Sequence, residues 1–273
     1  MHQGRDDKCK ESCRKIREGL FSYSDARRGN LVGYHAVDYI RERVINAFPD
    51  RLKILFSQSI WLAGASARDL EHSKQIYSNR TNLIMYLRDR QSLGIAQEHF
   101  KGTRHLLMPD MAFNIGMTAR QLPPAFDVLW LKRGDLESPN YETEELLKNV
   151  SFSHHVSDYT SNWPSHTGDT ELETSFLITS AGLEFLSRGR VLITDRLHGH
   201  IMSSLLNIPH VLFDNPPFYK LSSFHKSWTA SQENVIMVNN KEDALIQAER
   251  LLKRYKTVSP KVGPFMSNEI WEH

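Results

Sequence analysis

The chain has 273 residues, 40% of them apolar and 24% charged, enough to bury one large core or two medium ones. Its formal net charge is only +2, with Lys and Arg scattered among Asp and Glu, so no nucleic-acid partner is expected; its longest apolar runs are strand-sized, so no membrane span is expected either. Cys9 and Cys13 are too few for a secreted disulfide scaffold and lack a second pair or a histidine cluster to complete a zinc set, so no metal or other cofactor is called for.

Residues 1–28 form a polar segment without the apolar centre of a signal or an anchor. This reads as soluble and by default cytoplasmic, or secretory if an anchor is missing upstream. From Val37 to Phe48 the positions Val37, Ile40, Val44, Ile45 and Phe48 fall at helical spacing, and Pro49-Asp50 ends the run. A strand at Lys53–Phe56, a helix at Ala67–Tyr77, a strand at Asn82–Leu87, a helix at Gln91–His99 and a strand at His105–Met108 follow. Such alternation predicts β-α units feeding a mainly parallel sheet. Thr118–Ala125 interrupts it, and Pro123-Pro124 marks a hinge between an N-terminal domain over 29–122 and a C-terminal domain over 123–273.

The second half repeats the architecture. Asp127–Leu131 reads as a strand, residues 134–168 as a polar loop region holding a short strand near Phe152–Val156, and Glu171–Leu186 as a helix. That helix carries Leu172, Phe176, Thr179, Leu183 and Leu186 on one face, expected to be core. Then come a strand at Arg190–Ile193, a helix at Leu197–Leu206, strands at His210–Phe213 and Val235–Val238, and an amphipathic helix at Lys241–Lys253. The expectation is two doubly wound α/β domains facing each other across a cleft.

The chemistry concentrates in Arg190–Asn215, a strand, a sharp turn, a helix and a second strand. Ligands of open α/β sheets gather at the carboxyl ends of strands, where the next helix offers unpaired N–H groups and a positive dipole end. Thr194 or Asp195 can cap that helix, and Arg196 and His198 on its first turn suit a phosphate. Gly199 would let a ligand or another backbone approach. His200 should point about 200° away from His198. Lys132 and Arg133 end a strand on the cleft side, His154, His155 and His166 lie around Trp163, and Asp214 to Lys220, with Ser223 and His225, could border the pocket; each also has an ordinary reading as a turn, a solvated end or a loose cluster.

Thr194-Asp195-Arg196-Leu197-His198-Gly199-His200 with Asn207-Ile208-Pro209-His210-Val211 resembles the Thr-x-Arg-Leu-His signature of polysaccharide pyruvyl transferases. Ser57-Gln58-Ser59-Ile60 after a strand resembles that family's Pro-Gln-Ser segment, and Tyr86-Leu87-Arg88-Asp89-Arg90-Gln91-Ser92 its strand-end Arg-Asp/Glu with a downstream Ser. Met108-Pro109-Asp110-Met111-Ala112-Phe113 and Asp127-Val128-Leu129-Trp130-Leu131 keep the family order. The resemblance implies a pair of Rossmann-like domains of the GT-B type, and transfer of pyruvate from phosphoenolpyruvate to a sugar or glycan as a ketal. It further implies that Arg196 and His198 are catalytic and hold the donor with Asp195 and Leu197, while Arg88 reaches across the cleft from the first domain.

The resemblance is partial at the start. The family's glycine-rich loop corresponds to Asp25–Tyr34, where only Gly29 and Gly33 survive, and Asp38 beyond it reads as a polar helix position. Either the N-terminal domain is incomplete, having lost its first strand, or the acceptor loop works differently. Two other readings stand beside pyruvyl transfer: a nucleotide-sugar glycosyltransferase of the same fold, and a non-catalytic glycan-binding remnant.

Overall fold

The structure, a computed structural model, describes residues 30–32, 35–62, 65–120, 123–134, 138, 141–158, 170–214, 216 and 219–256. The polar segment 1–28 with Cys9 and Cys13, most of the Asp25–Tyr34 stretch, and Trp163 and His166 lie outside the described residues. The first half runs β1 (Asn30–Leu31), α1 (His35–Ala47), β2 (Lys53–Ile60), α2 (Ala67–Tyr77), β3 (Leu83–Leu87), α3 (Arg90–His99) and β4 (Arg104–Leu107), then a 3-10 turn at Met111–Ile115. The second runs β5 (Phe126–Leu131), α4 (Glu144–Leu147), β6 (His154–Ser157), α5 (Glu171–Ser187), β7 (Gly189–Thr194), α6 (Leu197–Leu205), β8 (His210–Phe213), α7 (Lys220–Trp228), β9 (Val235–Val238) and α8 (Lys241–Arg254).

Among the described residues every strand pair is parallel, so each connection within a sheet must cross over, and helices supply the crossovers. Local chemistry starts the helices where the alternation predicts. Ser66 and Asp69 close a capping box on α2, Thr170 and Glu173 another on α5, and the Asp89 and Asn240 side chains cap α3 and α8. The first sheet has the order β1-β2-β3-β4. Its described strands therefore march one way without the reversal that double winding requires, which corrects the expectation for this half. Leu83, Met85 and Leu87 of β3 turn inward against Ile76, Tyr77 and Phe100, while Ile54 and Phe56 of β2 are 45% and 40% exposed.

The second sheet has the order β6-β5-β7-β8-β9, which reverses at β5 and β7. Both its faces are covered: Val128, Trp130, Val191, Ile193 and Val211 pack on α8, and Leu129, Leu131 and Leu192 pack toward Leu186, Leu206 and Ile208. The connection between the halves is tied to the second half from Thr118 onward, whose N–H donates to Leu205 O, and the Arg120 guanidinium donates to Gly189 O at the start of β7.

One short strand is added to the expected elements, and three local expectations need correction. The residues before α1 hold a two-residue strand, β1, pairing with Ser59 and Ile60, and the buried Val32 after it takes φ 70°, a conformation that favours glycine. Strand β2 runs on to Ile60, so Ser57-Gln58-Ser59 lies within it, where the register shifts between Leu55 and Gln58. The loop region of 134–168 contains the short helix α4. Finally, only the last turns of α5 are core: Leu186 is buried, but Leu172 and Phe176 are 79% and 71% exposed.

Candidate active site

The carboxyl ends of β3, β5 and β7 place the charged groups. Arg88 follows β3 directly and is buried; its N–H donates to Gln58 O, its Nε to Ser59 Oγ at 2.7 Å, and its Nη1 pairs with Asp110 Oδ2 at 3.2 Å. Asp110 stands before the 3-10 turn, where its Oδ1 accepts from Ala112 N. From the second half, His198 on the first turn of α6 brings Nε2 to 3.8 Å from Asp110 Oδ2, with half of its side chain reaching solvent. One carboxylate thus bridges a guanidinium of the first half and an imidazole of the second. The expected reach of the Arg88 side chain across the cleft takes this indirect form: the guanidinium's partners, Ser59 and Asp110, lie in the first half.

Arg196 occupies the N-cap of α6 without a side-chain cap bond. Its N–H donates to Thr194 Oγ1, and its Nη2 is held by the Asp158 carboxylate, which also accepts from Gly134 N. The cap expected of Thr194 or Asp195 is therefore replaced: Thr194 receives the Arg196 N–H, and Asp195 is turned away, accepting from Arg133 N at 3.0 Å and from the Tyr141 hydroxyl at 3.3 Å. Leu197 opens α6 and faces the core with Ile201 and Leu205. Gly199 is needed for packing, since a Cβ there would sit 2.7 Å from both Leu131 Cδ2 and Thr194 Oγ1. The close neighbours are strand side chains, in place of the expected ligand or backbone. The reversal of strand order at β5 and β7 falls where Arg133, Asp195 and Arg196 meet, the place where open α/β sheets take ligands.

Burial alone would raise the Asp110 carboxyl, but His198, Arg88 and the Ala112 N–H hold it below the usual carboxylate value. Partial burial lowers the His198 imidazole, Asp110 opposes this, and Arg88, Arg196 and Arg133 add to it. Burial pushes Asp195 up to about 6 against the pull of nearby N–H groups and of Arg133 and Arg196. With Asp110 paired to Arg88, the site can receive an anion on the cationic turn of α6, beside an imidazole able to move a proton.

Residues 21–217 match the family model for polysaccharide pyruvyl transferase. The chain belongs to the polysaccharide pyruvyl transferase family. It is 33% identical over 215 residues to Pyruvyl transferase 1 of Schizosaccharomyces pombe, covering 73% of this chain and 52% of that protein. It is 28% identical over 242 residues to General stress protein 30 of Bacillus subtilis, covering 85% and 66%. The chain thus spans about half the length of the yeast relative and about two thirds of the bacterial one. A crystal structure of an uncharacterized protein from Klebsiella pneumoniae overlaps 77% of this chain and 72% of that one, with a TM-score of 0.49 and 15% identity.

In this pyruvyl transferase family member the polar strand segment serves as scaffold. Ser57 Oγ donates to Pro109 O next to Asp110, and Ser59 Oγ donates to Asp89, which also receives Ser92 N and Ser92 Oγ. Gln58 Oε1 accepts from Arg41, and Arg41 pairs with Asp38, which takes the Tyr77 hydroxyl as well. Asp38, expected to be an ordinary polar helix position, is buried in that network. Lys132 lies over the Tyr141 ring, and Asp214 accepts from Leu221 N and Ser222 N at the start of α7. His155 stacks on Phe126, and among the described residues no cluster of His, Cys, Asp and Glu could hold a metal. His200 is fully buried and bonded to His210 and Thr229. Asp110 and Trp228 are the residues that sequence reasoning passed over. Asp110 could have been noticed as the charged member of the Met108–Phe113 run, directly after a strand end; no signal marks Trp228.

Proposed function

We propose that this chain transfers a pyruvyl group from phosphoenolpyruvate to two hydroxyls of a sugar or glycan, forming a ketal and releasing phosphate. The observation that carries the reading is the meeting of Arg88, Asp110 and His198 beside Arg196, where residues of both halves come together. Phosphoenolpyruvate has a phosphate and a carboxylate, and two separated guanidinium groups match them. His198 delivers a proton to the enol CH2, which becomes methyl; one sugar hydroxyl adds to the resulting electrophilic carbon. A second hydroxyl then displaces phosphate at that carbon, the two hydroxyl protons leaving to the base and to the departing phosphate, whose charge Arg196 stabilises. Donor charge close to His198 raises its lowered pKa and restores the proton the first step needs. Asp195 and Leu197 act from behind, Asp195 by fixing the loop at Arg133 and Leu197 by seating the turn; no cofactor enters. The GT-B arrangement of the two halves belongs to the same reading, as does a pair of domains divided near residues 122 and 123.

Phosphate release from phosphoenolpyruvate with a panel of methyl glycosides tests this. The full chain should release phosphate and give a new ketal methyl resonance, and His198→Gln should lower the rate by about a hundredfold or more. Undiminished turnover in that variant removes His198 from the chemistry. Thermal stabilisation by nucleotides, with none from phosphoenolpyruvate, would move the assignment to sugar transfer from a nucleotide sugar.

A further inference from the structure

Helix α7 follows β8 of the second sheet, yet three of its side chains grip the corner where β3 of the first sheet turns into α3. Ser223 Oγ donates to Asp89 Oδ1 at 2.9 Å, Ser227 Oγ accepts from Arg90 N at 3.0 Å, and Trp228 Nε1 donates to Arg88 O at 2.6 Å. The three corner residues are consecutive, so each is held by the opposite half. The Arg88 carbonyl precedes the N-cap Asp89 and lies outside the hydrogen-bond ladder of α3, which leaves it available to an outside donor. Since the Arg88 N–H goes to Gln58 O, one residue's backbone is fixed by its own half on one side and by α7 on the other. Trp228 is buried, and the Phe224 ring on the same helix stacks on Phe113 at 5.9 Å.

The hydrophobic duty of position 228 needs only an aromatic ring. The indole N–H does something else: it ties Arg88 to the core cluster that also seats Leu197, Ile201, Leu221 and Phe224, and hence to the turn bearing Arg196 and His198. We propose that Trp228 is a positioning residue that sets the separation between the Arg88 guanidinium and the Arg196–His198 turn, and so selects a donor whose two anionic groups span that separation. The part concerning the donor rests on the pyruvyl-transfer reading.

Trp228→Phe keeps the ring and removes the donor. In the full chain it should lower kcat with phosphoenolpyruvate by about tenfold or more while the melting temperature stays within about 3 °C. Ser227→Ala, a smaller change on the same helix, should act in the same direction and more weakly. If Trp228 acts through Arg88, introducing Trp228→Phe into Arg88→Lys should change kcat/KM by less than about twofold. Wild-type kinetics in Trp228→Phe, or an undiminished loss in the Arg88→Lys background, overturns the proposal. Amide hydrogen exchange on the donor-free protein reads the clamp without turnover: exchange at Arg90 should quicken in Trp228→Phe, and unchanged exchange also overturns it. A wild-type chain that neither binds phosphoenolpyruvate nor releases phosphate sinks the reading of function instead, and the exchange result still decides the clamp.

Discussion

Asp110 carries charges from both halves. Its carboxylate has Arg88 Nη1 at 3.2 Å and His198 Nε2 at 3.8 Å, and little of it reaches water. Removing one member of such a pair leaves the other charge buried, a loss of about 3 kcal/mol or more. Asp110→Asn should therefore be less stable than the parent by that order in urea titration. The Arg88 guanidinium it leaves behind would then turn to any available anion, so phosphoenolpyruvate should raise the melting temperature of Asp110→Asn more than that of the parent. An equal or smaller rise would mean that Asp110 and the donor do not compete for Arg88. The Arg196–Asp158 pair has a similar form, but Asp158 is tied to Gly134 N as well. The turn on α6 is thereby held in shape before any ligand arrives, which lowers the cost of receiving one.

At the scale of elements, α5 separates what periodicity reveals from what it does not. The spacing of Leu172, Phe176, Thr179, Leu183 and Leu186 says that they share a face, and they do. Whether that face is covered depends on what packs against it, and only its last turns meet β7 and α6. Phe176→Ser should shift the unfolding free energy by no more than about 0.5 kcal/mol, whereas Leu186→Ala should cost about 2–5 kcal/mol. A large effect at Phe176 in urea titration would mean that its face is covered in solution. The same limit governed the site. The Arg196-Leu197-His198 turn was legible because strand, turn and helix are local and the residue types are diagnostic. The Ser57-Gln58-Ser59 run was placed after the strand because polar residues are unusual inside a buried parallel strand, where these three serve Pro109, Arg41 and Asp89. Asp110 was given no role of its own, because its pairing with His198 joins positions 88 residues apart, which no local pattern encodes. Trp228 meets Arg88 across 140 residues and was passed over for the same reason.

Behind the site the second half is held by a directed chain of hydrogen bonds that runs through three histidines. Ile208 O can only accept, so His210 Nδ1 donates to it at 2.6 Å. The neutral His210 Nε2 then accepts from His200 Nδ1, His200 Nε2 accepts from the Thr229 hydroxyl, and Thr229 Oγ1 accepts from His225 Nδ1. A proton added to His200 or His210 would set donor against donor. Burial lowers His210 to about 4 and holds His200 well below the ordinary value. Between pH 6.5 and about 4 the unfolded chain binds protons that the native His210 refuses, so stability falls as pH falls through this window, by on the order of 3 kcal/mol from His210. Asp195 works the other way. Its carboxyl is raised to about 6, so its contribution is greatest below pH 3.8 and is lost as pH rises through 6, again on the order of 3 kcal/mol. His198, His200 and His225 are lowered like His210, while Asp214 is raised like Asp195, so the histidines should prevail. The melting temperature should decline from pH 6.5 to 4. Asp195→Asn should steepen the decline and His210→Asn should flatten it, whatever either does to the value at pH 7. Parallel curves for parent and His210→Asn would mean that the buried imidazoles are not the groups the fold keeps neutral.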